Sequence, residues 1–115
     1  MKSILRKKRL LRKMNYSVTT KEFMMLAAKE PLDVLDLRDP DLNDSFELSE
    51  GSNVTRIPLT QLPNRLSQLD KGKTYYLFTQ FGGRSKTMAQ FLRNEGYQVV
   101  NVIGGTSAYK QYLAS

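Results

Sequence analysis

Short apolar runs alternate with amphipathic stretches along this chain, and the alternation predicts strands interleaved with helices. Tyr16-Ser17-Val18 reads as a short strand. Thr19-x-x-Glu22 is a capping-box pattern, in which the Thr hydroxyl accepts from a first-turn N–H and Glu22 reaches back. Val18 and Phe23 occupy the hydrophobic-staple positions, and the helix through residues 23–28 is stopped by Pro31. Residues 32–37 form a strand ending at Asp36-Leu37-Arg38, and Asp39-Pro40-Asp41 is turn chemistry. Residues 41–50 are acidic and irregular, with one helical turn around 42–48. After the loop Gly51-Ser52-Asn53, residues 54–57 form a strand ended by Pro58. Thr60 caps a predicted helix that places Leu62, Leu66 and Leu69 on one face. Residues 74–79, β-branched and aromatic with no solvent face, are the strongest strand. A helix from Ser85 presents Met88, Phe91 and Leu92 and ends at Gly96. Val99, Val100 and Val102 form the last strand, and Gly104-Gly105 leads into a helix over 107–113. The methionines and Tyr75, Tyr76, Phe78 and Phe91 are assigned to the core. Strands buried on both faces and separated by helices predict an α/β fold, a central parallel sheet with helices on both faces.

The chain has 115 residues, the size of one domain. It contains no Cys and no His. That excludes disulfides, thiolate or imidazole metal sites, a cysteine nucleophile and a histidine base; no metal or cofactor is expected. No apolar run is long enough to span a membrane, and the basic start lacks the apolar core of a signal peptide. The net charge of +7 is unevenly spread. Lys2, Arg6, Lys7, Lys8, Arg9, Arg12 and Lys13 sit in residues 1–14 without an acid, and residues 15–115 are neutral. The reading is therefore a basic arm, 1–14, and one domain, 15–115. As a helix the arm would align Ile4 with Leu11, but it is short for a stable helix in water and is expected to be frayed unless it meets a partner.

In parallel sheets ligands sit beyond the carboxyl ends of the strands, and residues 79–85 follow the strongest strand there. Gly82 and Gly83 let backbone N–H groups turn inward, the following helix adds partial positive charge, and Arg84 suits an oxyanion. The segment lacks the Gly-Lys-Ser/Thr ending of a P-loop.

The same segment carries a resemblance. Val34-Leu35-Asp36-Leu37-Arg38-Asp39-Pro40 is similar to the Asp-x-Arg-x-Pro strand end of single-domain rhodaneses, of the sulfurtransferase superfamily. Gly51 with Ile57-Pro58-Leu59 resembles their Gly-Ala…Ile-Pro-Leu segment, and Gly82-Gly83-Arg84-Ser85 the second half of their active-site loop. Leu92-Arg93-x-x-Gly96-Tyr97 and Val102-x-Gly104-Gly105-x-x-x-Tyr109 resemble their closing segments, with Tyr109 where Trp is usual. The resemblance implies the rhodanese-like α/β fold. It also exposes a departure. The family's loop reads Cys-Arg-x-Gly-x-Arg, and this one reads Thr79-Gln80-Phe81-Gly82-Gly83-Arg84, so the nucleophile position is Thr79 and the first arginine is Gln80. A hydroxyl cannot carry a sulfane sulfur. The related cysteine phosphatases fail for the same reason, and their loop is one residue longer. The family's Gly-His-Ile-Pro stretch is degraded here to Ser45-Phe46-Glu47-Leu48-Ser49.

The expectation is a catalytically inactive rhodanese homology domain, a binding or regulatory module of the bacterial single-domain kind. Gln80, Phe81, Gly82, Gly83, Arg84 and Ser85 would meet a small anion or a protein partner, supported by Asp36 and Arg38. The plainer alternatives are a turn made by the glycines with Arg84 paired to an acid, and a structural salt bridge or loop anchor for Asp36 and Arg38. Thr79 is expected to satisfy its hydroxyl on the loop backbone. Phe81 either plugs the vacated pocket or shows an apolar knob to a partner. The runner-up functions are an enzyme whose cysteine comes from a partner, or which acts on a small oxyanion or thiol, and a membrane-proximal scaffold. For the arm, a solvated tail competes with contact to an anionic membrane surface, as in relatives with a transmembrane helix before a basic stretch. Nucleic acid would be held only by nonspecific phosphate contacts. The expected location is the cytoplasm, or the cytoplasmic face of the membrane.

Overall fold

A computed structural model describes residues 16–40 and 52–115. Expectations for the arm, for Asp41, for the helical turn over 42–48 and for Gly51 lie outside those residues. The elements follow the predicted order: β1 (Ser17–Val18), α1 (Thr20–Ala27), β2 (Asp33–Asp36), β3 (Asn53–Arg56), β4 (Thr74–Phe78), α2 (Gly83–Asn94), β5 (Gln98–Val102) and α3 (Gly105–Ala114). The strands form one five-stranded sheet in the order β1-β5-β4-β2-β3, and every pairing is parallel.

Strand side chains alternate between faces, so each central strand feeds two cores. Val34, Tyr76, Phe78, Val100 and Val102 point to one face, where they meet Phe23 of α1 and Tyr109 of α3. Leu35, Tyr75, Leu77 and Val99 point to the other and meet Ala89 and Leu92 of α2. The first core is aromatic: the Phe23 ring lies 5.1 Å from Phe78 and 5.5 Å from Tyr76, edge to face in both cases.

Helix α1 starts as the capping box dictates. Glu22 N donates to Thr19 Oγ1 at 3.1 Å, and Thr19 N donates to Glu22 Oε1 at 3.0 Å. Helix α2 ends in a Schellman pattern, with Tyr97 N donating to Leu92 O and Gly96 N to Arg93 O, both at 3.0 Å.

Three expectations are corrected. The helix predicted after Thr60 is two single-turn 3-10 segments, Leu62–Asn64 and Leu66–Gln68. Pro63 disfavours the α conformation at Leu62 before it, which works against a continuous α-helix here. Leu62 and Leu69 are nonetheless buried and Leu66 packs beside them, so the apolar spacing marked the right residues. On α2 the buried stripe is Ser85, Ala89 and Leu92, while Phe91 is 36% exposed. Small Ser and Ala let α2 approach the sheet closely, which turns the larger ring outward. Met25 is likewise on the surface, and Met24 and Met88 only border the cores.

Candidate functional site

β2, β3 and β4 end on the same side of the sheet, and the segments that follow them enclose a cleft of about 340 Å³. One wall is the loop from Thr79 to Arg84. The opposite wall is Leu37, Arg38 and Asp39 after β2, and Pro58, Leu59 and Thr60 after β3. This is where a parallel sheet places its ligands.

The loop is fixed from behind by α3. Thr106 N donates to Thr79 O and Ser107 N donates to Gln80 O, both at 2.9 Å. No peptide bond here is cis. In a trans peptide the carbonyl and the following N–H point in opposite directions. Anchoring these two carbonyls on α3 therefore turns the N–H groups of Gln80 and Phe81 away from α3, and neither has an acceptor among the described residues. The N–H groups of Gly83 and Arg84 lie in the first turn of α2, where an α-helix leaves donors without intrahelical partners.

The approach of the two loops needs glycine on both sides. A Cβ on Gly82 (φ +88°) would lie 2.5 Å from Gly104 N, and one on Gly105 (φ +60°) would lie 2.1 Å from Thr79 O. No side chain fits in either gap.

Thr79 is buried at the head of the loop, and its Oγ1 accepts the Gly82 N–H at 2.9 Å. Its hydroxyl is thus satisfied on the loop backbone, as expected. Ser85 lies behind the cleft, not in its wall. It is fully buried, its hydroxyl donates to Gly82 O at 2.8 Å, and it also pairs with the Asn101 side chain of β5. The expected contact of Ser85 with a ligand is corrected to a structural role in holding the loop to the sheet. Gln80, Phe81, Gly82, Gly83 and Arg84 do line the cleft.

Asp36 and Arg38 pair with each other. Arg38 Nε donates to Asp36 Oδ1 at 3.0 Å and Nη2 to Oδ2 at 2.9 Å, a bidentate contact between nearly buried side chains. Arg38 N also donates to Asp36 Oδ1 at 3.1 Å, and Arg56 Nε stands 3.7 Å from Oδ2. The carboxylate of Asp36 thus faces two guanidinium groups. Arg84, by contrast, is exposed at the start of α2. Phe81 is 70% exposed at the mouth and leaves the cleft open, so it is no plug.

Sequence reasoning missed Leu37, Asp39, Pro58, Leu59 and Thr60 as wall residues, and the Ser85–Asn101 clamp behind the loop. Pro58 and Leu59 carry no chemistry that marks a site; only their place just after a strand end does. Asn101 is a polar residue in an otherwise apolar run, and that interruption was the available signal for its pairing with Ser85. Among the described residues no cluster could hold a metal ion, and no helix is long and apolar enough to cross a membrane.

Geometry and sequence now coincide. The chain belongs to the rhodanese-like domain family, whose pattern matches residues 19–112. It is similar to the tRNA sulfurtransferase of Shewanella baltica (strain OS155 / ATCC BAA-1091), 40% identical over 70 residues, 60% of this chain. It is also similar to that of Histophilus somni (strain 2336), 33% identical over 87 residues, 75% of this chain. The matched segment spans 14% and 18% of those two proteins. Among solved structures, a rhodanese-like domain protein from Staphylococcus aureus superposes with a TM-score of 0.71 at 29% identity, covering 81% of this chain and 89% of that one.

Proposed function

We propose that this chain is a rhodanese homology domain that works by binding and not by sulfur transfer. One observation carries the reading: an open cleft whose loop begins with Thr79, at the position where the family's loop has its cysteine. Persulfide transfer requires a thiolate that attacks a sulfane sulfur and holds it in an S–S bond. The chain has no cysteine, and a Thr hydroxyl cannot form that S–S bond. What supports binding is the rest of the loop. Free N–H groups of Gln80 and Phe81, the start of α2 and the Arg84 guanidinium all favour negative charge. The partner is a small anion, or an acidic group on a protein, taken up at residues 80–84.

The test is a thiosulfate:cyanide sulfurtransfer assay on the full chain. The expected rate equals the blank without protein, and turnover above it sinks the proposal. A second reading draws on the relatives named tRNA sulfurtransferase. In it the domain serves a transfer reaction whose cysteine belongs to a partner, and transfer appears only when a cysteine-bearing protein is added. In both readings we place the chain in the cytoplasm, with the basic residues 1–14 available to an anionic leaflet. Co-sedimentation with phosphatidylglycerol liposomes, with and without residues 1–14, tests that membrane contact; equal partitioning excludes the contact.

A further inference from the structure

The cleft is larger than the oxyanion its cation suits. At roughly 30 Å³ per water-sized group, a sulfate or thiosulfate ion fills less than half of about 340 Å³. The remaining space is bordered by apolar residues: Pro58 and Leu59 on one side and Phe81 on the other. Phe81 is 70% exposed, so its ring has a face to offer a ligand. The charges are also arranged with a direction. Arg84 and the N–H groups of the loop stand on the α2 side, whereas the β2 side carries Asp39 and an Arg38 already bound to Asp36. An anionic group is therefore favoured at the α2 end.

We propose that the cleft takes an organic oxyanion: a compact anionic group at the loop and Arg84, carried on an apolar body the size of a benzene ring that lies between Phe81 and Leu59. This rests on the binding reading above and adds the ligand class to it. Phe81 sets the preference for an organic over an inorganic anion, and Arg84 the preference for an anion over a neutral molecule.

The test is calorimetric titration of the full chain with sodium sulfate, sodium benzenesulfonate and benzyl alcohol. Benzenesulfonate is expected to bind at least about tenfold more tightly than either of the others. Phe81→Ala is expected to bring benzenesulfonate to within about threefold of sulfate. Arg84→Gln is expected to weaken both anions and leave benzyl alcohol unchanged. Both side chains are exposed, so both variants should melt with the native chain, which separates lost binding from lost folding. Sulfate binding as tightly as benzenesulfonate, or a Phe81→Ala variant that keeps the full difference, overturns the inference and leaves the binding reading standing. Benzyl alcohol matching benzenesulfonate overturns it too. Binding of no anion at all overturns both readings.

Discussion

Gly105 is where the two loops of the site meet, and Gly105→Ala is the sharpest perturbation of that contact. The new methyl group would stand 2.1 Å from Thr79 O and 2.9 Å from the carbonyl of Gln80. Those are the carbonyls that accept from Thr106 N and Ser107 N. The backbone at Gly105 has φ +60°, a region that costs an alanine about 1 kcal/mol or more. Separating the loops enough to admit the methyl breaks both hydrogen bonds, at about 1 kcal/mol each, with a further desolvation cost for any buried group left unpaired. The expected loss is about 3–4 kcal/mol, a large share of the roughly 5–15 kcal/mol that holds a domain together. Gly83→Ala is the internal control. Its Cβ meets nothing within 4 Å, and its φ is not positive. It should be neutral or stabilise α2 by up to about 1 kcal/mol. Urea unfolding followed by circular dichroism measures both. A Gly105→Ala loss below about 1 kcal/mol, or equal effects of the two variants, would refute the claim that the loops are locked by backbone contact.

Asp36→Asn removes the bidentate carboxylate from a nearly buried Arg38 guanidinium and should cost about 3–5 kcal/mol. Arg56→Gln, at an exposed cation, should cost under about 1 kcal/mol by the same unfolding measurement. Ser85→Ala removes a buried hydroxyl shared by Gly82 and Asn101 and should cost about 1–3 kcal/mol, with a melt that shows no such loss counting against the clamp. The Tyr76 hydroxyl is pushed up to about 12, first by burial and then by the Glu30 carboxylate. An unfolded tyrosine titrates near 10, so above that pH the unfolded chain loses this proton before the folded one does, and stability falls as pH rises toward 12. Tyr76→Phe should flatten the alkaline limb of the stability profile by on the order of 1–2 kcal/mol, whereas parallel profiles for the two chains would contradict this.

The central strands were legible because they have no solvent face. Thr74–Phe78 is apolar and aromatic throughout, and only a strand covered on both sides tolerates that. The capping box and Gly96 marked helix ends through local hydrogen-bond chemistry that packing does not override. Where packing decides, the sequence misled. Phe91 belongs to the core by hydrophobicity, yet the close approach of α2 to β5 selects Ser85 and Ala89, whose value is their small size. Pro63 works against a helix after Thr60 by restricting Leu62, but the leucine spacing concealed it. At the site, the loop was readable and its surroundings were not. Asp36 and Arg38 stand two apart at a strand end, on one side of the chain, and only the fold shows their bidentate pairing. Pro58 and Leu59 became part of a cleft wall only once β3 was placed beside β2.

The central claim is that the loop kept its shape and lost its sulfur chemistry. The most direct measurement is the intact mass of the chain after incubation with thiosulfate, for the native protein and for Thr79→Cys. The prediction is that the native chain keeps its mass and that Thr79→Cys gains one sulfur atom, removable by cyanide, because Phe81 leaves the cleft open. A native chain that gains a sulfur would contradict the account, and a Thr79→Cys chain that folds but gains none would contradict the preserved cradle.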